Sequence, residues 1–234
     1  MLSIIIPCLN EGKRVETMIN NIRDTVGLSD YEIDVVSSGG TDLSSVGDLP
    51  EMYVYETERE GAPQARNLGA SKAKGETLVF ADAHVEFNPD WGRQVEEISR
   101  AVGGIVTPCI CAPGDENSRG CGFVWKNLRM EIDWLPDLNP AAHDIPFACA
   151  CCMVIPKEVF RAVGGFDSGT RYWGSEDSEL SMRTWLLGYR VVCDPSMRVA
   201  HEFRDEHPYH ISRFDELYNK VRFAFSHFSV KRLE

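Results

Sequence analysis

Residues 78–87, LVFADAHVEF, run from four apolar, strand-forming positions into Asp82, His84 and Glu86. A strand repeats every two residues, so those three side chains share one side while Ala83 and Val85 take the other. A carboxylate beside an imidazole can ligate a divalent cation, and the imidazole argues against magnesium as the sole ion. The bland alternative is a polar strand exit that is simply solvated. A second candidate is the acid pair Glu176–Asp177, at the start of the helical stretch 175–187. Acids there complement the helix dipole, with Ser175 as a cap, or one of them serves as a general base.

Several elements must position these residues. Strand-like runs at 3–6, 32–36, 52–55 and 77–81 alternate with helical patterns at 11–26 and 62–73. This predicts an α/β fold with a mostly parallel central sheet and helices on both faces. The run TLVFA lacks polar alternation, as a strand covered on both faces should, and ligand sites in such sheets lie beyond the carboxyl ends of the strands. Asp82 and His84 occupy that place. Pro63 suits the first turn of the second helix, and Gly75 stands where a left-handed residue would end it. A third helix is expected from 91 to about 101 and a strand at GGIVTP, with loosened structure between 109 and 144 and regular structure again at FACACCMVI.

The 234 residues suffice for one compact domain, and 36 acidic against 24 basic residues give a net charge of −12. That balance disfavours broad attraction to nucleic acid or anionic membranes. The apolar run of MLSIIIPCLNEG is too short for a signal peptide and no segment has the length of a membrane span. A cytoplasmic protein with eight reduced cysteines is therefore expected. Cys109 and Cys111, with Cys149, Cys151 and Cys152, cluster at spacings unlike the usual zinc patterns; they read as structural thiols, with a structural zinc as the alternative.

The blocks SIIIPCLNEG, ARNLGASKAKGETLVFADA and GSEDSELSMR resemble the GT-A, or nucleotide-diphosphosugar transferase, fold of family 2 glycosyltransferases. REGAPQARNLGASKAKGETLVFADAHVEFNPDW, GCGFVWKNL, YWGSEDSELSMRTW and HEFRDEHPY resemble more closely the catalytic domain of polypeptide N-acetylgalactosaminyltransferases, in the same order and over nearly the whole chain. The resemblance implies a single catalytic domain over 1–234, with a nucleotide-sugar-binding half to about residue 110 and an acceptor-side half from 111 that ends in a helix. It implies a divalent metal, manganese in that family, held by Asp82, His84 and His201. Donor contacts are implied at Pro7, Asn10, Glu11, Ser38, Asp42, Arg66, Asn67, Asp82, Trp173 and Gly174. Where many members carry an Asp-Asp-Gly-Ser type sequence at the uridine, this chain has VVSSGGTD, so Ser38 and Asp42 stand there instead.

The acid pair leaves the stereochemistry open. In inverting family 2 enzymes the Asp of a Glu-Asp pair resembles the general base, as Asp177 would be, whereas the retaining family has Glu-Asn at this place. The expected function is metal-dependent sugar transfer from a nucleotide sugar, such as a UDP-sugar, to a hydroxyl of a macromolecular acceptor. By resemblance that hydroxyl is a polypeptide Ser or Thr. The alternatives are hydroxymethylated pyrimidines in DNA and a non-catalytic nucleotide-sugar-binding module. A nucleotidyltransferase fits poorly, since PCLNEGKRV has a single Gly where a phosphate loop needs several. The stretch 211–233 reads as a terminal helix with Arg213, Lys220, Arg222, Lys231 and Arg232 among phenylalanines, which would either dock on the domain or contact a polyanionic acceptor.

Overall fold

The computed structural model describes residues 1–38, 43, 49–58, 61–137, 139–204 and 210–229, with the side chains of 116–119 left aside. The amino-terminal part alternates β1 (Leu2–Cys8), α1 (Lys13–Thr25), β2 (Tyr31–Ser37), β3 (Met52–Glu56), α2 (Ala62–Lys72), β4 (Thr77–Ala81), β5 (Val85–Phe87) and α3 (Trp91–Val102). Strands then dominate: β6 (Ile105–Ala112), β7 (Asp115–Trp125), β8 (Ile132–Pro136), β9 (His143–Asp144) and β10 (Cys152–Pro156). Helices α4 (Lys157–Ala162) and α5 (Glu176–Leu186), strand β11 (Val191–His201) and helix α6 (Arg213–His227) complete the described chain.

The main sheet has the order β3-β2-β1-β4-β10-β6-β11-β5. The first four strands are parallel, β10 runs against β4 and β6, and β11 is again parallel to β6. Connections leave β1 toward β2 on one side and return to β4 on the other, so the strand order reverses between β1 and β4. A crevice opens at such a reversal, beyond the carboxyl ends of the strands. Both faces of the sheet are covered. Val15, Met18, Ile19 and Ile22 of α1 pack with Trp91 and Val95 of α3 on one face. Ala70 of α2, Val159 and Phe160 of α4 and Leu180 of α5 pack on the other. Helix α2 lies unusually close to the sheet, because a Cβ at Gly69 would stand 2.5 Å from Ile5 Cγ2.

Several sequence expectations shift. The first helix begins at Lys13 rather than 11, since Asn10 and Gly12 both adopt positive φ and turn Glu11 away from a helical path. Gly75 does not end α2 in a left-handed turn. It sits where a Cβ would collide with Met1 O and Ser3 Oγ, and its N–H donates to Ser3 Oγ at 2.8 Å. The stretch 109–144 is not loose: β6, β7 and β8 form an antiparallel meander across it. Ser175 leaves its hydroxyl off the helix start, because it is itself left-handed at φ 68°. The last helix is shorter than 211–233 and is capped by Ser212, whose Oγ accepts from Phe214 N at 3.2 Å.

Cys109 and Cys121 are joined in a disulfide, against the expectation of reduced thiols throughout. The β6–β7 pairing sets Ile110 opposite Gly120 and thereby brings the two cysteines together. Their separation of 12 residues matches no local motif, which is why the sequence did not reveal it. Cys193 lies 3.9 Å from Cys109, but two of these three sulfurs are already bonded to each other and leave no zinc-type set. Among the described residues no helix is long and apolar enough to cross a membrane.

Candidate functional site

Strand β4 stops at Ala81, one residue short of Asp82, and the chain turns before pairing again as β5. The break re-aims the polar side chains while the Asp82 N–H is held by Cys151 O at 3.0 Å. Ala83 and Val85 enter the core, as the alternation predicts, and Glu86 is exposed away from the site. Strand β5 pairs antiparallel with β11, placing His201 opposite Val85, and the Glu202 N–H donates to His84 O at 3.2 Å. Two distant segments thus bring His84 and His201 together with ring centroids 4.7 Å apart.

Ligand-type atoms of Asp82, His84 and His201 all lie within 4.8 Å of one another. Asp82 divides its carboxylate: Oδ1 accepts from Arg66 Nη2 at 2.8 Å and Oδ2 faces His201 Nε2 at 3.6 Å. Both ring nitrogens of His201 and Nδ1 of His84 are buried without a hydrogen-bond partner. Buried polar atoms are normally satisfied, so idle imidazole nitrogens beside an ionised carboxylate fit a bound divalent cation. Burial alone would push the Asp82 carboxyl up, but His201, Arg66 and His84 outweigh it and hold it well below the usual carboxylate range.

Arg66 is the hub of the centre. It is 3% exposed and bonds Glu176 Oε1 at 3.1 Å through Nη1 as well as Asp82 through Nη2. Glu176 in turn accepts from the Gly174 N–H at 2.7 Å, and Gly174 at φ 100° takes a backbone shape that favours glycine. Asp177, partly buried beside it, accepts from the Ser178 N–H at 2.8 Å. Burial and the neighbouring Glu176 carboxylate push Asp177 up to about 7, against the pull of Ser178 N–H, Arg66 and the Ala150 N–H.

Two cavities meet here. One is lined by Pro7, Glu11, Ser38, Arg66, Asp82 and His84, with Tyr172 and Trp173 on its rim. The other is lined by Glu176 and Asp177 with Glu131, Glu216 and Lys220, and Trp173 and Gly174 border it as well. Trp173 therefore lines both. Of the donor residues expected from the sequence, Pro7, Glu11, Ser38, Arg66, Asp82 and Trp173 line the first cavity and Gly174 the second. Asn67 instead clamps the Phe166 backbone, donating to its O at 2.8 Å and accepting from its N at 2.9 Å. Asn10 is not among the lining residues, and Asp42 lies outside the described residues.

Sequence reasoning missed the supports. Arg204 grips Glu11 with two bonds, 3.2 and 2.7 Å, and Glu11 Oε2 stands 3.6 Å from His84 Nδ1. Arg14 makes a similar fork on Glu202 at 2.8 Å twice. Asn219 of α6 holds the loop before Trp173, as described below. Arg204 lies within the HEFR block that carried His201, a signal that was there to be used. Asn219 is an isolated residue of a helix and gave none.

This is the architecture of a GT-A glycosyltransferase. The structure of GalNAc-T7 with UDP, GalNAc and Mn2+ superposes on 99% of this chain and 49% of its own, with a TM-score of 0.80 and 23% identity. The mannosyltransferase PcManGT from Pyrobaculum calidifontis, in complex with GDP-Man and Mn2+, covers 97% of this chain and 65% of its own at 0.68 and 20%. Residues 3–164 match glycosyl transferase family 2, and the chain belongs to that family. Residues 142–211 match the family described as the N-terminal domain of galactosyltransferase. Rat polypeptide N-acetylgalactosaminyltransferase 10 is 28% identical over 235 residues, covering 89% of this chain and 39% of the relative. The Xenopus tropicalis polypeptide N-acetylgalactosaminyltransferase 11 is 34% identical over 172 residues, covering 67% and 28%. The chain spans about two fifths or less of the length of these relatives.

Proposed function

We propose that this chain transfers a sugar from a nucleotide sugar, most simply a UDP-sugar, to a hydroxyl of a macromolecular acceptor, with Ser or Thr of a polypeptide as the acceptor class. The observation that carries this reading is the Arg66 bridge, which ties the Asp82–His84–His201 cluster to the Glu176–Asp177 pair at the junction of two cavities. The acceptor class is supported by the relatives named polypeptide N-acetylgalactosaminyltransferases. The donor and ion are supported by the UDP and Mn2+ of one structural neighbour and the Mn2+ of another. Roughly the first 110 residues would bind the donor and the remainder the acceptor.

Asp82, His84 and His201 would hold the manganese, which when bound stabilises negative charge growing on the nucleoside diphosphate as it leaves. Arg66 is spent on the two carboxylates, so its part is to fix them rather than to reach the donor. Asp177 is the base: an acid held near 7 by burial and by Glu176 is ionised in part at neutral pH and still takes a proton well. The acceptor O–H proton passes to Asp177, its oxygen bonds the anomeric carbon, and the carbon–oxygen bond to phosphate breaks. Glu176, engaged by Arg66 and the Gly174 N–H, is not free for that task and acts as a positioning group. A single base across the sugar from the leaving group gives inversion at the anomeric carbon.

The second cavity weighs against DNA as acceptor. Glu131, Glu176, Asp177 and Glu216 face it with Lys220 as their cationic neighbour, a lining that repels a polyanion. The test is release of nucleoside diphosphate from a panel of nucleotide sugars with Mn2+, run with Ser/Thr peptides and with hydroxymethylpyrimidine DNA. Transfer to peptide with an inverted product supports the reading. Transfer to DNA alone sinks the acceptor class, and a retained anomer sinks Asp177 as the base.

A further inference from the structure

Cys149 and Cys151 sit two residues apart in the loop entering β10, with sulfur atoms 3.2 Å from each other. Cys149 is partly exposed, while the other five free cysteines are buried. Oxidants therefore meet Cys149 first, with a second thiol already beside it. The loop is also threaded through the centre described above. Cys151 O accepts from the Asp82 N–H at 3.0 Å, Ala150 O accepts from Arg66 Nη2 at 3.4 Å, and the Ala150 N–H lies near enough to Asp177 to favour its carboxylate. Two further backbone atoms close the loop on itself, Cys152 N–H donating to Cys149 O at 3.4 Å.

We propose that Cys149 and Cys151 are a reversible oxidation site, closed to an intramolecular disulfide by a low-molecular-weight disulfide of the glutathione type, and that closure pulls the Ala150 peptide off Arg66 and Asp177. The Cys149 sulfur displaces one thiol from the incoming disulfide, and the Cys151 sulfur then displaces the second. The two cysteines lose two electrons and two protons, and both leave on the two released thiols. A disulfide needs sulfurs about 2.05 Å apart, so the pair must draw together by roughly an ångström. The ring so formed contains both peptides of Ala150, which is why the movement falls on that residue. Nothing in this step uses donor or metal, so it goes beyond the transfer reading and can fail independently of it.

The experiment exposes the full chain to glutathione disulfide and reads two quantities by mass spectrometry. Peptide mapping after alkylation should show Cys149 and Cys151 joined, two hydrogens lighter and unalkylated, with Cys152 still alkylated. Hydrogen exchange of the Asp82 and Ala150 amides should quicken on the order of tenfold, because their acceptors move. Dithiothreitol should restore both, and Cys149→Ser should show neither change while retaining transfer in the absence of oxidant. Separately alkylatable Cys149 and Cys151 after oxidation would overturn the proposal. So would a cross-link that leaves both amides unchanged, or an oxidant effect on exchange that persists in Cys149→Ser.

Discussion

Arg66 Nη2 donates to Asp82 Oδ1 at 2.8 Å from a side chain that is almost wholly enclosed. The same guanidinium reaches Glu176, so one buried cation fixes a carboxylate of the metal-type cluster and a carboxylate of the acid pair. A planar fork can do this, and the point charge of a lysine cannot. Burial alone would lower the Arg66 pKa, but Asp82 and Glu176 raise it, so the group stays charged throughout the working range.

The bridge separates the cluster residues by their effect on folding. His84→Ala and His201→Ala remove rings whose buried nitrogens make no hydrogen bond, and should leave the melting temperature within a few degrees of the parent. Each should weaken Mn2+ binding by at least about tenfold. Asp82→Ala strips Arg66 of a partner and should cost on the order of 3–5 kcal/mol of stability in addition. Thermal unfolding beside Mn2+ titration checks this; equal destabilisation by all three variants would show that the histidines also hold the fold.

The parallel β1–β4 half of the fold and its helices were legible because apolar runs, Pro63 and the alternation at residues 78–87 act locally. The cluster was legible by two routes, Asp82 and His84 from local alternation and His201 only through the family resemblance of HEFRDEHPY. Asp82 and His84 share one short stretch, whereas His201 arrives through β11 pairing with β5, a contact across more than a hundred residues that no local pattern records. Arg66 has the same difficulty: its place in a helix says nothing of the two carboxylates it bridges. The β6–β8 meander was hidden because its strands mix polar, glycine and cysteine positions. Residues such as Gly120 and Gly122 are there to admit Trp134 and Ile145, an economy visible only after packing.

Asp177 gives the reaction a pH signature. As the proposed base its carboxyl, pushed up to about 7, would act in the ionised form, so transfer should rise as pH passes upward through that value and level off above it. Asp177→Asn should lower the rate by roughly 10²–10⁴ and abolish this rising limb, with donor affinity little changed. The comparison is kcat/KM against pH for the two proteins at saturating Mn2+. An unaltered limb in the variant assigns it to another group.

Asp34 makes a prediction about stability alone. It lies in β2 at 0% exposure, and neither carboxylate oxygen has a hydrogen-bond partner. Burial and the nearby Glu32 push it up to about 7, with Tyr55, Lys74 and Lys157 giving partial relief. Because the folded value is raised, the unfolded chain loses this proton first as pH rises. Stability from this group is full below about pH 4 and is lost as pH climbs to about 7, by on the order of 4 kcal/mol. Asp34→Asn should therefore raise the urea midpoint strongly at pH 8 and change it little at pH 4. A variant equally destabilised at both values would mean that Asp34 is ionised and paired in the fold.

Asn219 is the test of how α6 serves the site. Buried at 2% exposure, it accepts from the Arg171 N–H at 2.8 Å and donates to Arg171 O and Trp173 O at 2.8 and 3.0 Å. It replaces strand-like pairing for a loop that has none on that side, and the loop's other edge is fixed where Gly61 meets Tyr172 and Ala62 N–H donates to Tyr172 O at 2.8 Å. Tyr172 and Trp173 line the first cavity, so an error in this loop is an error in the wall of the proposed donor site. Asn219→Ala removes the partner of three partly buried backbone groups and should cost about 1–3 kcal/mol. Asn219→Asp keeps the acceptor but sets a buried carboxylate against the Arg171 and Trp173 carbonyl oxygens, and should cost at least as much. The functional effect separates a local role from a global one: KM for the nucleotide sugar should rise several-fold while Mn2+ binding, proposed at Asp82 and His84 in the turn between β4 and β5 and at His201 of β11, stays at the parent value. Loss of Mn2+ binding in step with donor affinity would place Asn219 in general stability rather than in holding the wall.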